Sequence, residues 1–182
     1  IGASGNYDII YQVYGNISGA ASFSGRFNGT ANSDDFDSSI RVDVGGARVV
    51  SGITTNSSGN TDMILLVYGG YISQIIYNGP ANRNETGGFL KFKNGLFGNF
   101  ILVGTTEISA IEKQIYIAEY NGYGSVVWSK TDPVLSGINE VSGFEFGPSS
   151  TILVYGTLPI ALSPSGIFIK QFTSSGISGL AY

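Results

Sequence analysis

The sequence predicts an all-β protein: an antiparallel β-sandwich of Ig-like, pilin-like or jelly-roll type, with an extended N-terminal strand. Val, Ile, Tyr, Phe and Thr dominate the apolar stretches, and these residues favour strands. Twenty-seven glycines among 182 residues interrupt the helical registers. Short apolar runs recur along the chain between turn residues, which is typical of a sandwich or barrel. Strands are predicted at residues 6–14, 17–27, 36–44, 47–54, 61–68, 71–77, 87–93, 96–105, 111–120, 123–129, 138–146, 150–158 and 166–172.

Asn-Gly pairs indicate how neighbouring strands connect, because this dipeptide fits the tight turn of a β-hairpin. Two such pairs lie between apolar runs, and a third ends a run and is followed by proline. We therefore expect antiparallel hairpins at the first two. The turns are Asn94-Gly95 between residues 88–93 and 96–103, Asn121-Gly122 between 114–120 and 123–129, and Asn78-Gly79-Pro80.

A faint internal repeat supports an alternative fold, a small β-propeller-like repeat. Residues 64–69, 100–104 and 151–156 are alike, with an Ile-Leu-Val type of run before glycine. Intervals of 37 and 51 residues separate the isoleucines Ile64, Ile101 and Ile152, so the period is irregular. A propeller also needs at least four blades, which a chain of this length barely supplies. The other explanation is that buried strands converge on similar apolar residues.

Residues 6–14 have the pattern of one complete strand. Alternation places Tyr7, Ile9, Tyr11 and Val13 on one face. The strand fits two roles equally well. It is either the first strand of its own sandwich or a detachable donor that completes the sheet of a neighbouring subunit by β-augmentation.

The donor interpretation divides the chain into two parts. Residues 1–16 form an N-terminal donor tail, and residues 17–182 form the sandwich body. The strand at 166–172, which a loose Ser-rich run follows, is a competing donor.

Four Asn-x-Ser/Thr sequons, at Asn16, Asn28, Asn56 and Asn84, predict N-glycosylation of exposed loops on a secreted chain. Ordinary Asn- and Ser-rich turns of a cytosolic protein are the alternative. The chain has no cysteine, which argues against a disulfide-built eukaryotic module and leaves a bacterial or archaeal surface protein. The chain begins at Ile1 without a leader pattern, so we expect that a signal peptide has already been removed.

Charge and hydropathy argue against two classes of partner. The net charge is −4, and the nine Lys and Arg residues form no basic stripe, so no nucleic-acid partner is expected. No apolar run approaches about 18 residues, so the mature chain is not expected to insert into a membrane. Few carboxylates are present to drive acid unfolding, which predicts tolerance of acid.

Catalysis and cofactor binding are not expected. The chain has no His and no Cys, which removes Ser-His-Asp and Cys-His chemistry. Asp34, Asp35 and Asp37 form the densest acidic cluster, but Phe36 interrupts the alternate ligand positions and no Gly-x₅-Glu follows. A solvated turn is therefore favoured over a Ca²⁺ site. Paired carboxylates for glycoside hydrolysis would have to come from Glu107, Glu112, Glu119, Glu140 and Glu145.

In style the whole chain resembles the glycosylated subunits of archaeal extracellular filaments, in particular the crenarchaeal thread. The shared features are several sequons, no cysteine, β-rich sequence throughout and a processed, strand-like N-terminus. The resemblance implies subunits joined head-to-tail by donor-strand complementation, with a body shaped like that of chaperone–usher pilins. It also implies that Tyr7, Ile9, Tyr11 and Val13 plug the next subunit. Chaperone–usher pilins usually carry a disulfide, which this chain cannot form.

These features predict a non-catalytic structural subunit of a filament that supports adhesion or biofilm formation. Its expected partners are copies of itself and N-linked glycans, and its expected location is the cell surface. Two alternatives remain open. One is a secreted, monomeric carbohydrate-binding or adhesin domain with aromatic side chains at its sugar site, and the other is a viral capsid or surface-layer protein.

Overall fold

The all-β prediction is confirmed. The computed structural model describes residues 5–14, 19–42, 46–68, 72–93, 98–132, 140–160 and 163–181, and these contain fourteen strands and a single 3₁₀ turn (Pro148–Ser150). The strands are β1 Ile9–Tyr14, β2 Ala21–Phe27, β3 Asp35–Val42, β4 Arg48–Thr55, β5 Thr61–Tyr68, β6 Ile72–Tyr77, β7 Glu85–Phe92, β8 Phe100–Glu107, β9 Lys113–Tyr120, β10 Val126–Asp132, β11 Glu140–Phe146, β12 Ile152–Ile160, β13 Ser163–Phe172 and β14 Ser178–Ala181.

The strands form four antiparallel sheets in which each strand pairs with its neighbour in sequence. Sheet A contains β1 and β2, sheet B contains β3 to β6, sheet C contains β7 to β10, and sheet D contains β11 to β14. Every sheet is thus a local meander, as short connections favour. The two predicted hairpins are confirmed as β7–β8 and β9–β10. Asn94-Gly95 itself lies outside the described residues.

The four sheets pack face to face, with A on B, B on C and C on D. Three apolar clusters fill these interfaces. Face-to-face packing is the principle of a sandwich, but here it is repeated through successive sheets, and the described strands close no barrel. The consecutive four-stranded meanders are also the strand order that the propeller-like alternative predicts. Central residues of the clusters are Ile9, Val50 and Ile64 between A and B; Leu65, Phe100 and Tyr116 between B and C; and Val103, Ile117, Val154 and Phe168 between C and D.

Sheets B, C and D share a local design at their first two strands. Gly52, Gly104 and Gly156 each lie on the second strand, opposite a β-bulge of the first strand. A Cβ at Gly104 would lie 2.6 Å from the Thr86 carbonyl oxygen, and a Cβ at either of the other two would also meet a first-strand carbonyl. The first strand therefore approaches its partner more closely than any side chain permits.

This design corrects the repeat expected from sequence. Residues 100–104 and 151–156 occupy equivalent second strands, β8 and β12. Residues 64–68, in contrast, lie on the third strand of sheet B, and the true equivalent is the segment of β4 that ends at Gly52. The intervals of 37 and 51 residues were unequal because the sequence comparison aligned a third strand with two second strands.

Three five-residue loops, at 56–60, 121–125 and 173–177, have one conformation. In each, the first residue donates its N–H to the last residue's carbonyl, and the fourth residue is a glycine with positive φ. The turn after β9 is therefore longer than the predicted Asn-Gly pair, and Gly124 rather than Gly122 takes the left-handed conformation. No helix within the described residues is long and apolar enough to span a membrane.

Candidate functional site

The first strands of sheets B, C and D lie side by side and form an open groove. β7 contacts β3 on one side and β11 on the other. The groove has a volume of about 360 Å³, at the small end of the usual range for ligand pockets. Its lining residues are Ser38, Ser39, Arg41, Phe89, Leu90, Lys91, Ser142, Gly143, Phe144, Glu145 and Tyr155.

The β-bulges explain why polar side chains line this groove. Each bulge inserts one extra residue, which re-aims the local side chains. Ser38 is the inserted residue of β3 and Ser142 that of β11. Ser38 donates a hydrogen bond to the Gly87 carbonyl, and Ser51 donates to that of Gly88, so hydroxyl groups tie sheet B to sheet C. The groove is thus a consequence of the repeated strand design.

The groove carries a small positive excess in an otherwise acidic chain. Lys91 forms an ion pair with Glu145, and its ammonium group lies 5.6 Å from the centre of the Phe144 ring. Arg41 donates to the Ile40 carbonyl, and no carboxylate of the described residues pairs with it. Hydroxyl groups, one guanidinium and aromatic rings suit binding of a polar ligand rather than acid–base chemistry.

Two buried carboxyl groups meet between sheets B and C. Glu85 on β7 is fully buried, and Asp62 on β5 is nearly so. Burial and, to a smaller extent, the neighbouring Asp62 raise the pKa of Glu85 to about 7, although Thr106 and the Gly79 N–H donate to it. Burial also raises the pKa of Asp62, against hydrogen bonds from Asn56. Among the described residues, Glu85 Oε2 has no ordinary hydrogen-bond partner.

A polar turn positions Glu85, and sheet B contains the same turn. Residues 28–35 and 78–85 share the pattern Asn-Gly-x-Ala-Asn-x-x-acid. In each, the first Asn donates to the second across 2.8 or 2.6 Å. In the first copy, the Asp35 carboxylate accepts hydrogen bonds from the Thr54 hydroxyl at 2.6 Å and from the Gly29 N–H at 2.7 Å. Sequence reasoning missed this repeat, although its offset of 50 residues is visible in the chain.

Two further charged clusters stabilise the C–D half of the molecule. Glu119 accepts from Lys93 at 2.6 Å, from Trp128 Nε1 at 2.8 Å and from Asn99. Burial raises the pKa of Glu119, but these three donors outweigh it, so that pKa lies below its ordinary value. Lys170 on β13 and Asp132 on β10 form a buried ion pair of 3.2 Å between the sheets.

The predicted donor strand lies within the chain's own fold in this structure. β1 pairs with β2, and Ile9 and Tyr11 pack on sheet B, where Tyr11 also hydrogen-bonds Tyr68. Val13 is half-buried, while Tyr7 is exposed with its ring centre 6.0 Å from that of Phe36. Because the structure contains one chain, it does not test whether this strand is exchanged between subunits, and the exchange stays a prediction. The competing donor, β13, pairs on both sides, with β12 and β14.

The predicted glycosylation sites differ in their surroundings. Asn28 is exposed in the loop after β2. The side-chain nitrogen of Asn56 donates to Asp62 at 3.1 Å, and that of Asn84 contacts Glu107 at 3.4 Å. The side-chain nitrogen of Asn28 also donates, to Asn32 at 2.8 Å, so a glycan would disrupt a contact at each of the three sites. Asn28 differs from the other two in being exposed rather than half-buried. Asn16 lies outside the described residues.

The acidic cluster is divided by the fold. Asp35 is buried in its turn, whereas Asp34 and Asp37 are exposed. Asp34 accepts the Tyr7 N–H at 2.9 Å, which ties the N-terminal strand to the loop before β3. The described residues contain no group of three or more His, Cys, Asp or Glu able to hold a metal ion.

No protein-family model matches the chain, and no curated protein matches it significantly.

Proposed function

We propose that this protein is a non-catalytic structural subunit of a glycosylated extracellular filament, which polymerises head-to-tail and serves adhesion or biofilm formation. The resemblance to archaeal thread subunits motivates this function. The observation that carries it is the open stack of sheets, whose two ends differ. The outer face of sheet A presents Ile10 and Tyr14, and the outer face of sheet D presents Ile167 and Ile169, all exposed.

Two unlike apolar ends favour a polymer over a closed dimer. A contact between different surfaces of identical subunits continues indefinitely unless its rotation closes a ring. On sheet D, the exposed Ile167 and Ile169 lie beside Tyr155, and monomeric proteins rarely leave contiguous apolar faces exposed. Open stacking and end-to-end assembly are therefore consistent with each other.

Donor-strand exchange is our proposal for how β1 takes part. Ile9 and Tyr11 fill a site on sheet B that Val50, Ile64 and Leu66 form. The same strand from a neighbouring copy would fit this site and pair with β2 by β-augmentation. Exchange of an identical element is a common route to oligomers because it creates no new contacts within the exchanged region.

Cysteine cross-linking tests the exchange, because the native chain has no cysteine. Gln12 and Ser24 are directly opposite one another on β1 and β2. In a Gln12→Cys/Ser24→Cys variant, we expect oxidation to produce a covalent ladder of subunits on denaturing gels, with Gln12→Cys alone as the control. Cross-linked monomers would show that β1 stays within its own subunit.

Deletion of residues 1–14 tests whether the strand is needed. We expect loss of polymerisation and a soluble, aggregation-prone body. A free peptide of residues 5–14 should bind this body and prevent its aggregation, without restoring fibres. A peptide with Ile9→Asp and Tyr11→Asp is the matched control and should not prevent aggregation. Normal fibres from the truncated protein would refute the donor-strand mechanism.

A second function, carbohydrate binding by a secreted domain, is favoured by the groove between β3, β7 and β11. Its serines, Arg41 and aromatic rings supply the hydroxyl-directed and stacking contacts that sugars use. Isothermal titration with neutral and acidic oligosaccharides checks this function, and Arg41→Ala should weaken any binding. Trp128 does not line the groove and instead donates to Glu119, so its fluorescence is a poor reporter.

A further inference from the structure

We propose that the outer face of sheet D is the docking surface for a second copy of this chain, and that it receives the outer face of that copy's sheet A. The inference rests on the proposed function, since it identifies the contact by which subunits would join. We define the D face as Leu153, Tyr155, Ile167, Ile169 and Gln171.

The internal repeat provides the main evidence. Alignment of Gly104 with Gly156 pairs each residue of the D face with a residue of sheet C. Four of the five counterparts in sheet C pack against sheet D in one apolar cluster, and the fifth, Glu119, is buried. These pairs are Ile101 with Leu153, Val103 with Tyr155, Ile115 with Ile167, Ile117 with Ile169, and Glu119 with Gln171.

The equivalent isoleucine side chains of sheets C and D differ in their exposed fraction. Ile115 and Ile117 are 1% and 0% exposed, whereas Ile167 and Ile169 are 78% and 44% exposed. Sheet D thus carries apolar residues at positions that the described part of the chain leaves exposed. In sheet B the corresponding residues, Met63 and Leu65, are again buried, here by sheet C. The D face therefore has the composition of an interface that a further sheet covers.

Sheet A of a second copy is the occupant that continues the stack. At the opposite end of the molecule, Ile10 is 63% and Tyr14 is 60% exposed on the outer face of β1, while Ile9 and Tyr11 point inward. Docking the D face on this surface repeats the face-to-face packing already present at three interfaces of the chain.

Charge also permits this contact. Arg26 on the outer face of sheet A already pairs with Asp8, and Glu145 beside the D face already pairs with Lys91. Burying these four described residues would therefore leave none of them as an unpaired charge, which is the main cost of covering ionised groups. The contact joins different faces, so it propagates as a filament unless its rotation closes a ring.

Complementary blocked variants test the proposal. Ile10→Lys blocks the sheet A end, and Ile167→Lys/Ile169→Lys blocks the D face. These side chains are exposed, so each variant should fold, as circular dichroism and thermal melting would verify. Ile111→Lys, on a loop outside either face and 91% exposed, is the matched control and should polymerise normally.

Light scattering after size-exclusion chromatography gives the readout. We expect each blocked variant alone to form no fibres, because the affinity between the D face and sheet A is weakened at least about 30-fold. An equal mixture should join one subunit of each variant through the two intact faces. Discrete dimers of Ile10→Lys alone would mean that the D face pairs with itself, which would overturn the proposal.

The remaining outcomes separate this inference from the proposed function. If wild type and Ile167→Lys/Ile169→Lys form the same fibres, the filament stands and the D face is not its docking surface. If the wild type is monomeric at every concentration, the filament and the docking surface are both wrong.

Discussion

Sheets C and D share strand order, bulge position and the glycine of the second strand, yet their outer surroundings differ. Sheet C is covered on one face by sheet B and on the other by sheet D. Sheet D packs on sheet C through Val154 and Phe168, while Ile167 and Ile169 on its other face are exposed. Strand formation in this repeat therefore does not depend on covering both faces, and the apolar residues of an uncovered face require another explanation.

The largest expected change in the free energy of unfolding comes from placing a lysine at one of two equivalent positions, Ile115 in sheet C and Ile167 in sheet D. Ile115→Lys should lower the free energy of unfolding by more than about 4 kcal/mol, because an unpaired ammonium group would be buried between sheets C and D. Ile167→Lys should change the stability of the monomer by less than about 0.5 kcal/mol, because its side chain is exposed. Urea unfolding of the two variants measures the contrast, and equal losses would contradict the proposed equivalence.

Lys170 sharpens the comparison, because its counterpart in sheet C is Ala118. Lys170→Met should destabilise the protein by about 3–5 kcal/mol, since it removes the cation beside the buried carboxylate of Asp132. The double variant Lys170→Met/Asp132→Leu should recover most of this loss. Denaturant unfolding checks both values, and additive losses in the double variant would show that the ion pair is not the cause.

The second-strand glycines should respond alike in the two sheets. Gly104→Ala and Gly156→Ala should each cost about 1–3 kcal/mol, because the new methyl group would meet a backbone carbonyl that cannot move freely. Gly179→Ala is the control within sheet D, where the nearest atom lies 3.4 Å from the added carbon. Thermal melting measures all three, and a neutral Gly156→Ala would indicate a looser strand pair in sheet D.

A pH effect of similar size is expected at Glu85, on the first strand of sheet C. The folded-state pKa of Glu85, about 7, exceeds its ordinary value of 4.5. Its contribution to stability is therefore fully present below pH 4.5 and falls by roughly 3 kcal/mol as pH rises through 7. Glu85→Gln should flatten this slope, and Glu145→Gln, an exposed carboxylate, should not. Unfolding at pH 4, 6 and 8 tests the difference, and an unchanged slope in Glu85→Gln would assign it to another group.

Much of the fold was predictable because local patterns decide it. Alternation and turn residues located thirteen of the strands, and only the short β14 was missed. Its four residues, Ser178–Ala181, follow a five-residue loop and carry too few apolar side chains to form a pattern. The stacking of the sheets was harder to predict, because an apolar strand face does not reveal which sheet covers it.

The groove and the buried acid pair were not predictable for a related reason. Ser38 and Ser142 reach the groove through bulges, which change the face of a side chain without changing the sequence pattern. Asp62 and Glu85 are 23 positions apart and meet because sheets B and C stack. Only the turn repeated at residues 28–35 and 78–85 left a signal that a search at an offset of 50 would have found.

Electron microscopy of the purified wild-type protein tests the central claim most directly. We expect continuous thin fibres with an axial repeat of one subunit, in which sheet D of each copy faces sheet A of the next. Dispersed single particles, closed shells or flat lattices would contradict the filament, and fibres in which Ile167 and Ile169 remain exposed to solvent would contradict the continued stack.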